Sequence, residues 1–436
     1  MTESGIPGLS AAEEDFRASF REAVGEARDA SLSQAGLLPR GIVIPAGGAR
    51  MFTCAWVAVR MLRDYLGSKL PIQIWYIGPE EMSSAMSALM ASQQVETIDA
   101  RQYADDGVEL GGFELKSLAL LKCSFREVVL LDADNVPLID PAVLFEDAAF
   151  LETGAVFWPD LVSIAASSRI WDLCGVSYRA MPSFESGQLA IDRTRHYPAL
   201  ALSWFMNRNS RLVYQHIYGD KDCFLLAWLA LGQSFHLVRH GAKRLYGCIC
   251  QHHPDGRRMF QHRCQRKWKL FGENPGISGF AAEEACLGYL AELRTLWNGR
   301  VFRPPACDGE MQLIVEALTA QRHFRLETVS IGVEHVEFHP HNLLVRNTAP
   351  VGTWWLAREA GTVVLELGDD HVTQRQFMRR GLREWRSTPP YADTQELILT
   401  AEDDPSALAP EGHNTQSIFS SFKSWQRNYD RVKDAT

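Results

Sequence analysis

Between Gly41 and Asn135 the chain alternates between two hydrophobic periods. Short apolar runs (GIVIPA from Gly41, PIQIWYIG from Pro71 and REVVLLDAD from Arg126) and a further short strand at 95–98 are separated by stretches with helical spacing at 52–66, 81–93 and 115–123. Runs without polar alternation are strands buried on both faces. Strands alternating with helices predict βαβ units and a mostly parallel sheet, hence an α/β fold. Ligands of such sheets bind at the carboxyl ends of the strands. Gly47-Gly48 and Asp132-Ala133-Asp134 both stand at such ends, so they can face one cleft.

The remaining chain divides by pattern. Residues 1–39 read as an N-terminal helical extension, with an amphipathic acidic helix at 11–31. The α/β domain extends over 40–275 and a helical connection over 276–320. Residues 321–400 carry short alternating runs punctuated by Gly, Asn and Asp, the pattern of a small antiparallel β-rich module. The tail, 401–436, is polar. With 436 residues the chain exceeds what one hydrophobic core supports, in keeping with an appended module.

Composition excludes several classes. At 46% hydrophobic and 22% charged residues this is neither a disordered nor a coiled-coil chain. The net charge of −9 gives no bulk attraction to nucleic acid or anionic membrane. Nine cysteines, an odd and sparse set, fit a reducing compartment rather than a disulfide scaffold. The first residues lack a basic segment followed by an apolar one, and apolar stretches such as 224–232 fall short of the ~20 residues a membrane span needs. The expectation is a cytoplasmic protein without a transmembrane segment, with peripheral membrane contact left open.

The sharpest motif is the acidic pair Asp132 and Asp134 at the end of the last strand. Two carboxylates at i and i+2 can converge on one hard cation such as Mg2+ or Mn2+, and such ions keep open positions for phosphates. The competing reading is a solvated acidic turn. A haloacid-dehalogenase-type phosphatase also places DxD after an apolar strand, but that strand usually opens its domain, whereas here residues 40–127 come first. Its later GDxxxD motif has no match either, because Phe224 replaces the second acid after Gly219-Asp220. Cys248, Cys250, His252, His253, His262 and Cys264 lack the paired CxxC-like spacing of a zinc site. In a strand, Cys248 and Cys250 share one face and read as small core residues.

Several blocks together resemble the fungal-type α-mannosyltransferases (glycosyltransferase family 71, α-1,2 and α-1,3 enzymes). They are GIVIPAGGARMF (41–52), GGFELKSLALLKCSFREVVLLDADNVPL (111–138), FWPD (157–160), FESGQLAIDR (184–193), YGDKDCFLLAW (218–228) and QHHPDGRRMFQHR (251–263). The resemblance covers about residues 40–270. It implies a GT-A fold and a metal-dependent retaining transferase moving a hexose, mannose from GDP-mannose, to a hydroxyl of a glycan or glycolipid acceptor. A UDP-sugar donor, or a sugar-binding protein of the same fold without catalysis, are the alternatives. Fungal members carry an N-terminal membrane anchor that residues 1–39 do not resemble.

The resemblance also implies roles. Asp132 and Asp134 would hold Mn2+ or Mg2+, with His262 as third ligand and His252 and Asp255 as rivals. Lys267 would contact phosphate, and Lys116 the donor phosphates or sugar. Gly47 and Gly48 would let the nucleotide approach the backbone, or simply make a tight turn. Glu185, Ser186, Gly187 and Gln188 would sit by sugar and acceptor. Asp220 and Asp222 would line the donor sugar, a role compatible with capping the helix they begin. Asp192 is expected to fix the next element. Trp354, Trp355 and Trp385 of the β-rich module are core aromatics or sugar-stacking platforms.

Overall fold

The computed structural model describes residues 8–402 except 80, 106–107, 109, 271–273, 298–307, 329–331, 339–342, 347–348, 360, 370–371, 381–382 and 388–396. Most of the polar tail expected at 401–436 therefore lies outside the described residues. The chain divides into two compact units, Met1–Arg303 and Pro304–Thr436.

The first unit opens with helix α1 (Ala11–Asp29), started by a reciprocal capping box between Ser10 and Glu13. Its buried residues Phe16, Phe20, Ala23 and Ala27 form one stripe, as helical periodicity requires. Strand β1 (Leu38–Pro45) leads into α2 (Gly48–Arg60), which continues as one π-helical turn, Met61–Tyr65. There follow β2 (Ile72–Tyr76), α3 (Ser84–Ser92), β3 (Val95–Asp99), α4 (Glu114–Lys122), β4 (Phe125–Leu131) and β5 (Asn135–Pro137). Next come α5 (Ala148–Thr153), β6 (Ala155–Pro159), α6 (Ile170–Leu173), β7 (Phe184–Asp192) and α7 (Arg193–Arg208). The unit ends with α8 (Ser210–Val213), α9 (Asp220–Leu231), β8 (His236–Leu237), β9 (Lys243–Leu245), β10 (Cys248–His252), β11 (Arg258–His262) and α10 (Glu283–Trp297).

The main sheet has the order β3-β2-β1-β4-β7-β6-β8. All neighbours are parallel except β7, which runs against both β4 and β6. The expected α/β GT-A architecture is thus present: a mixed, mostly parallel sheet flanked by helices. Strand residues alternate between its faces. Ile42, Ile44, Val129 and Leu131 pack with Phe52, Trp56 and Leu290, while Val43, Val128 and Leu130 pack with Phe20, Leu118 and Phe224. Asp192 accepts the backbone N–H groups of Thr194 and Arg195 and so caps α7, the fixing role expected of it. A smaller antiparallel sheet, β5-β11-β10-β9, begins immediately after the acidic pair. Its register sets His262 opposite Asn135. Cys248 and Cys250 are buried in the core cluster that α2 helps to build.

The second unit contains α11 (Gly309–Gln321) and a closed antiparallel barrel. Its strands are β12 (His323–Thr328), β13 (Gly332–Phe338), β14 (Leu343–Arg346), β15 (Ala349–Glu359), β16 (Thr362–Asp369), β17 (Val372–Arg379), β18 (Glu384–Ser387) and β19 (Ile398–Ala401). Pairing of β12 with β19 closes the barrel and removes both sheet edges. Its centre is filled by Phe324, Phe338, Trp354, Phe377 and Trp385, and Met311, Ile314 and Leu318 of α11 join the same cluster. Trp354, Trp355 and Trp385 are 1%, 7% and 2% exposed. The sugar-stacking alternative for these three tryptophans is therefore corrected: a buried ring has no face to offer a sugar. Among the described residues no helix is long and apolar enough to cross a membrane.

Candidate functional site

The site is built where β4 ends. Leu131 pairs with Gln188 in the last rung between β4 and β7, and the chain then turns sharply. The Asp132 N–H donates to the Gly187 carbonyl at 2.9 Å, and the Asn135 N–H returns to the Asp132 carbonyl at 3.0 Å. The Arg263 N–H donates to the Asp134 carbonyl at 2.9 Å, which ties the acidic turn to the end of β11. Because β7 runs antiparallel, its early residues Glu185–Gln188 lie beside the ends of the parallel strands.

Asp132, Asp134 and His262 each offer a ligand atom, and these atoms lie within 4.8 Å of one another. The His262 Nε2 is 3.2 Å from Asp134 Oδ1 and 3.7 Å from Asp132 Oδ2. Lys267, which follows β11, pairs its ammonium with the other oxygen of Asp134. Burial alone would raise the pKa of Asp134, but Lys267 and His262 outweigh it and hold the carboxyl well below its ordinary range. Burial likewise opposes a charge on His262, and Asp134 and Glu185 overcome it, raising the imidazole well above its ordinary value. His262 is buried, not a surface histidine.

Lys116 projects from α4 into the same cluster. Its Nζ lies 2.9 Å from the Asp132 carboxylate, 3.2 Å from Ser186 Oγ, 3.3 Å from the Ser186 carbonyl and 3.6 Å from Asp220 Oδ2. Burial disfavours its charge, yet Asp132 and Asp220 keep the ammonium protonated. Lys116 is thus not a solvated helical lysine.

Gly187 serves both sides of the turn. Its carbonyl also accepts the Asn135 side-chain N–H at 2.8 Å, and its own N–H donates to Glu185 Oε1 at 2.9 Å. The Gln188 carbonyl oxygen accepts from Asn135 Nδ2 at 2.7 Å, while its buried Nε2 has no protein partner. Asp220 and Asp222 begin α9, but its N-cap is Gly219, at φ +70°, and no side chain caps the helix there. Burial raises Asp220 above its ordinary value and pushes Asp222 up to about 6. Asp220 Oδ2 and Asp222 Oδ1 are buried without a hydrogen-bond partner. Lys221, between them, pairs instead with Asp160 at the end of β6.

The Gly47-Gly48 turn has its own occupant. Gly48 adopts φ +67°, and a Cβ on Gly47 would collide with the carboxylate of Glu81. Glu81 accepts the Ile77 N–H at 2.7 Å, and its carbonyl accepts the Gly48 N–H at 2.9 Å. These glycines are thus required at least by an internal contact. Because β1 and β4 are parallel neighbours, this turn lies at the same end of the sheet as the acidic pair. The rival ligands do not join the cluster. Asp255 pairs with Arg257 at 2.7 Å and His253 at 3.1 Å, and the His252 carbonyl accepts from Trp158 Nε1.

Asn135, Asp160 and Lys221 are not among the site residues read from the sequence, and Glu185, expected beside sugar and acceptor, lies 3.2 Å from the His262 ring. The donor set of two carboxylates and one imidazole suits Mn2+ or Mg2+. The fit is also one of charge: the four carboxylates Asp132, Asp134, Glu185 and Asp220 outnumber the three cationic groups Lys116, Lys267 and the imidazole of His262, so the balance admits a cation.

A family model described as a mannosyltransferase matches residues 39–183 and 172–252. Over residues 39–252 the chain belongs to this mannosyltransferase family. The α-1,2-mannosyltransferase MNN2 of Saccharomyces cerevisiae is 26% identical over 247 residues, covering 45% of this chain and 41% of that protein. The α-1,2-mannosyltransferase MNN21 of Candida albicans is 27% identical over 256 residues, covering 45% and 38%. This mannosyltransferase-family chain therefore matches only about two fifths of the length of these curated relatives. Among solved structures, the mannosyltransferase Ktr4p of S. cerevisiae in complex with GDP matches at TM-score 0.35 and 10% identity, covering 56% of this chain and 83% of that one. Mouse xyloside xylosyltransferase 1 matches at TM-score 0.31 and 16% identity, covering 46% and 85%. The family match stops at residue 252, so His262 and Lys267 join the acidic pair from outside the matched segments.

Proposed function

We propose that this chain is a metal-dependent retaining glycosyltransferase that moves a hexose, mannose from GDP-mannose, to a hydroxyl of a glycan or glycolipid acceptor. The observation that carries this reading is the convergence of Asp132, Asp134 and His262 beside Lys116 and Lys267, at the strand ends of a mannosyltransferase-family sheet. The relatives, α-1,2-mannosyltransferases by name, support mannose.

Asp132, Asp134 and His262 would hold Mn2+ or Mg2+, which when bound supplies charge neutralisation for the donor diphosphate. Lys267 and Lys116 bring fixed positive charge to the same place from two other elements. The unpaired amide of Gln188 and Oδ1 of Asp222, which no hydrogen bond holds, are available to hydroxyls of a sugar, while Asp220 is held by the Lys116 ammonium. Catalysis is then positioning and electrostatics, with the leaving diphosphate taking the acceptor proton.

The test is nucleotide release from GDP-mannose and from UDP-sugars, with Mn2+ or with EDTA. The expected result is GDP release with Mn2+ alone, enhanced by acceptor. Donor binding without release would overturn catalysis in favour of a sugar-binding protein, and UDP release would overturn the donor.

A further inference from the structure

His262 is aimed from behind. Its Nε2 faces Asp134 and Asp132, and its Nδ1 lies 3.2 Å from Glu185 Oε1. That same oxygen receives the Gly187 N–H at 2.9 Å. Glu185 and His262 are both buried, so neither is averaged by solvent. The space between them exists only because residue 187 has no side chain. A Cβ there would stand 2.6 Å from His262 Nδ1 and 2.9 Å from Glu185 Oε1, closer than real Cβ contacts allow. The carbonyl of Gly187 meanwhile fixes the Asp132 N–H and the Asn135 side chain. One residue of β7 thus holds both the acidic turn and the histidine's support.

We infer that Glu185 is a positioning residue, which with the bare backbone of Gly187 seats the His262 ring so that Nε2 is the atom presented to the cation. Carboxylates behind metal-binding histidines fix the ring and raise its basicity as a ligand, and their loss weakens metal binding about 10–100-fold. This changes the meaning of Gly187: its missing side chain makes room for His262 rather than for a sugar. The inference rests on the metal reading above and adds a residue to it.

The experiment measures Mn2+ affinity by titration calorimetry, with free Mn2+ counted by electron paramagnetic resonance, on the full-length wild type and on Glu185→Ala, Glu185→Gln and Gly187→Ala. Thermal melts establish that each variant is folded. Glu185→Ala is expected to weaken Mn2+ about 10–100-fold. Glu185→Gln keeps an oxygen at the same place and is expected to recover most of that loss. Gly187→Ala leaves the carboxylate in the chain but crowds the ring, and is expected to weaken Mn2+ as Glu185→Ala does. Long-range proton–nitrogen spectra of the metal-free protein provide a readout independent of the ion: the His262 Nδ1–H is expected to be hydrogen-bonded in wild type and released in Glu185→Ala. Wild-type Mn2+ binding with unchanged affinity in folded Glu185→Ala overturns the positioning role and leaves the metal reading standing. A wild type that binds no Mn2+ overturns the metal reading and this inference with it.

Discussion

The end of the main sheet and the inside of the barrel are both buried, yet they are built from opposite materials. Around β4 and β7 the chain buries Lys116, Asp134, Glu185, Asp220, Asp222 and His262. The barrel's central cluster is aromatic and aliphatic, and Glu366 is the one charged residue buried among the described residues of that unit. Burying charge costs several kcal/mol per ion unless each is matched, and packed aromatics provide stability without that cost. The contrast separates the part of the molecule arranged for chemistry from the part arranged for packing.

The largest expected effect is at the acidic pair. Asp134→Ala should reduce GDP release by at least about 100-fold, as loss of a preorganised charge at a reacting phosphate does. Its circular dichroism should remain that of a folded chain, because Lys267 is partly exposed and can turn to water. A variant that still turns over normally would remove the chemical half of the contrast. In the barrel, Trp354→Ala should cost about 3–5 kcal/mol in denaturant unfolding of that unit. Donor turnover per folded molecule should be unchanged, and a matching loss of turnover would show that the division of labour is wrong.

Asp222 sharpens the comparison through pH. Burial pushes it up to about 6 from 3.8. The folded state therefore holds this proton more tightly than the unfolded chain, so its contribution to stability is best below the unfolded pKa and is lost as pH rises from about 4 to about 6. At pH 7.5 the ionised carboxylate is a net burden on the order of 3 kcal/mol. Asp222→Asn should raise the melting temperature at pH 7.5 and leave it unchanged at pH 4, while lowering turnover. Equal melting temperatures at both pH values would refute the buried-charge cost. The smallest effect belongs to the barrel's rim: Arg358→Ala removes exposed pairs with Asp308 and Glu310 and should leave melting unmoved.

Strands β1, β2 and β4 were legible because unbroken apolar runs such as Val128–Val129–Leu130–Leu131 have few other solutions, and Asp132 and Asp134 were legible because acids ended one of them. His262 and Lys267 were reached through resemblance alone. Lys267 stands 133 residues beyond Asp134, and no local pattern encodes that pairing. Glu185 was placed by resemblance beside sugar and acceptor, but its contact with His262 was not legible, because no local pattern encodes a partner 77 residues away. The alternating runs after 320 gave an antiparallel module, but closure depends on β12 meeting β19, the first and last strands, which only tertiary structure supplies. The same closure decided Trp354 and Trp385, whose burial follows from being inside.

The pairing of β5 with β11 has a consequence for the order in which the molecule assembles. As the chain is synthesised, the acidic turn and most of its sheet emerge well before residues 258–267. Until β11 lies against β5, Asp134 has neither of the cations that offset its burial. The turn is then better hydrated than closed, so late docking of one short strand completes at once the local fold and the candidate cation site.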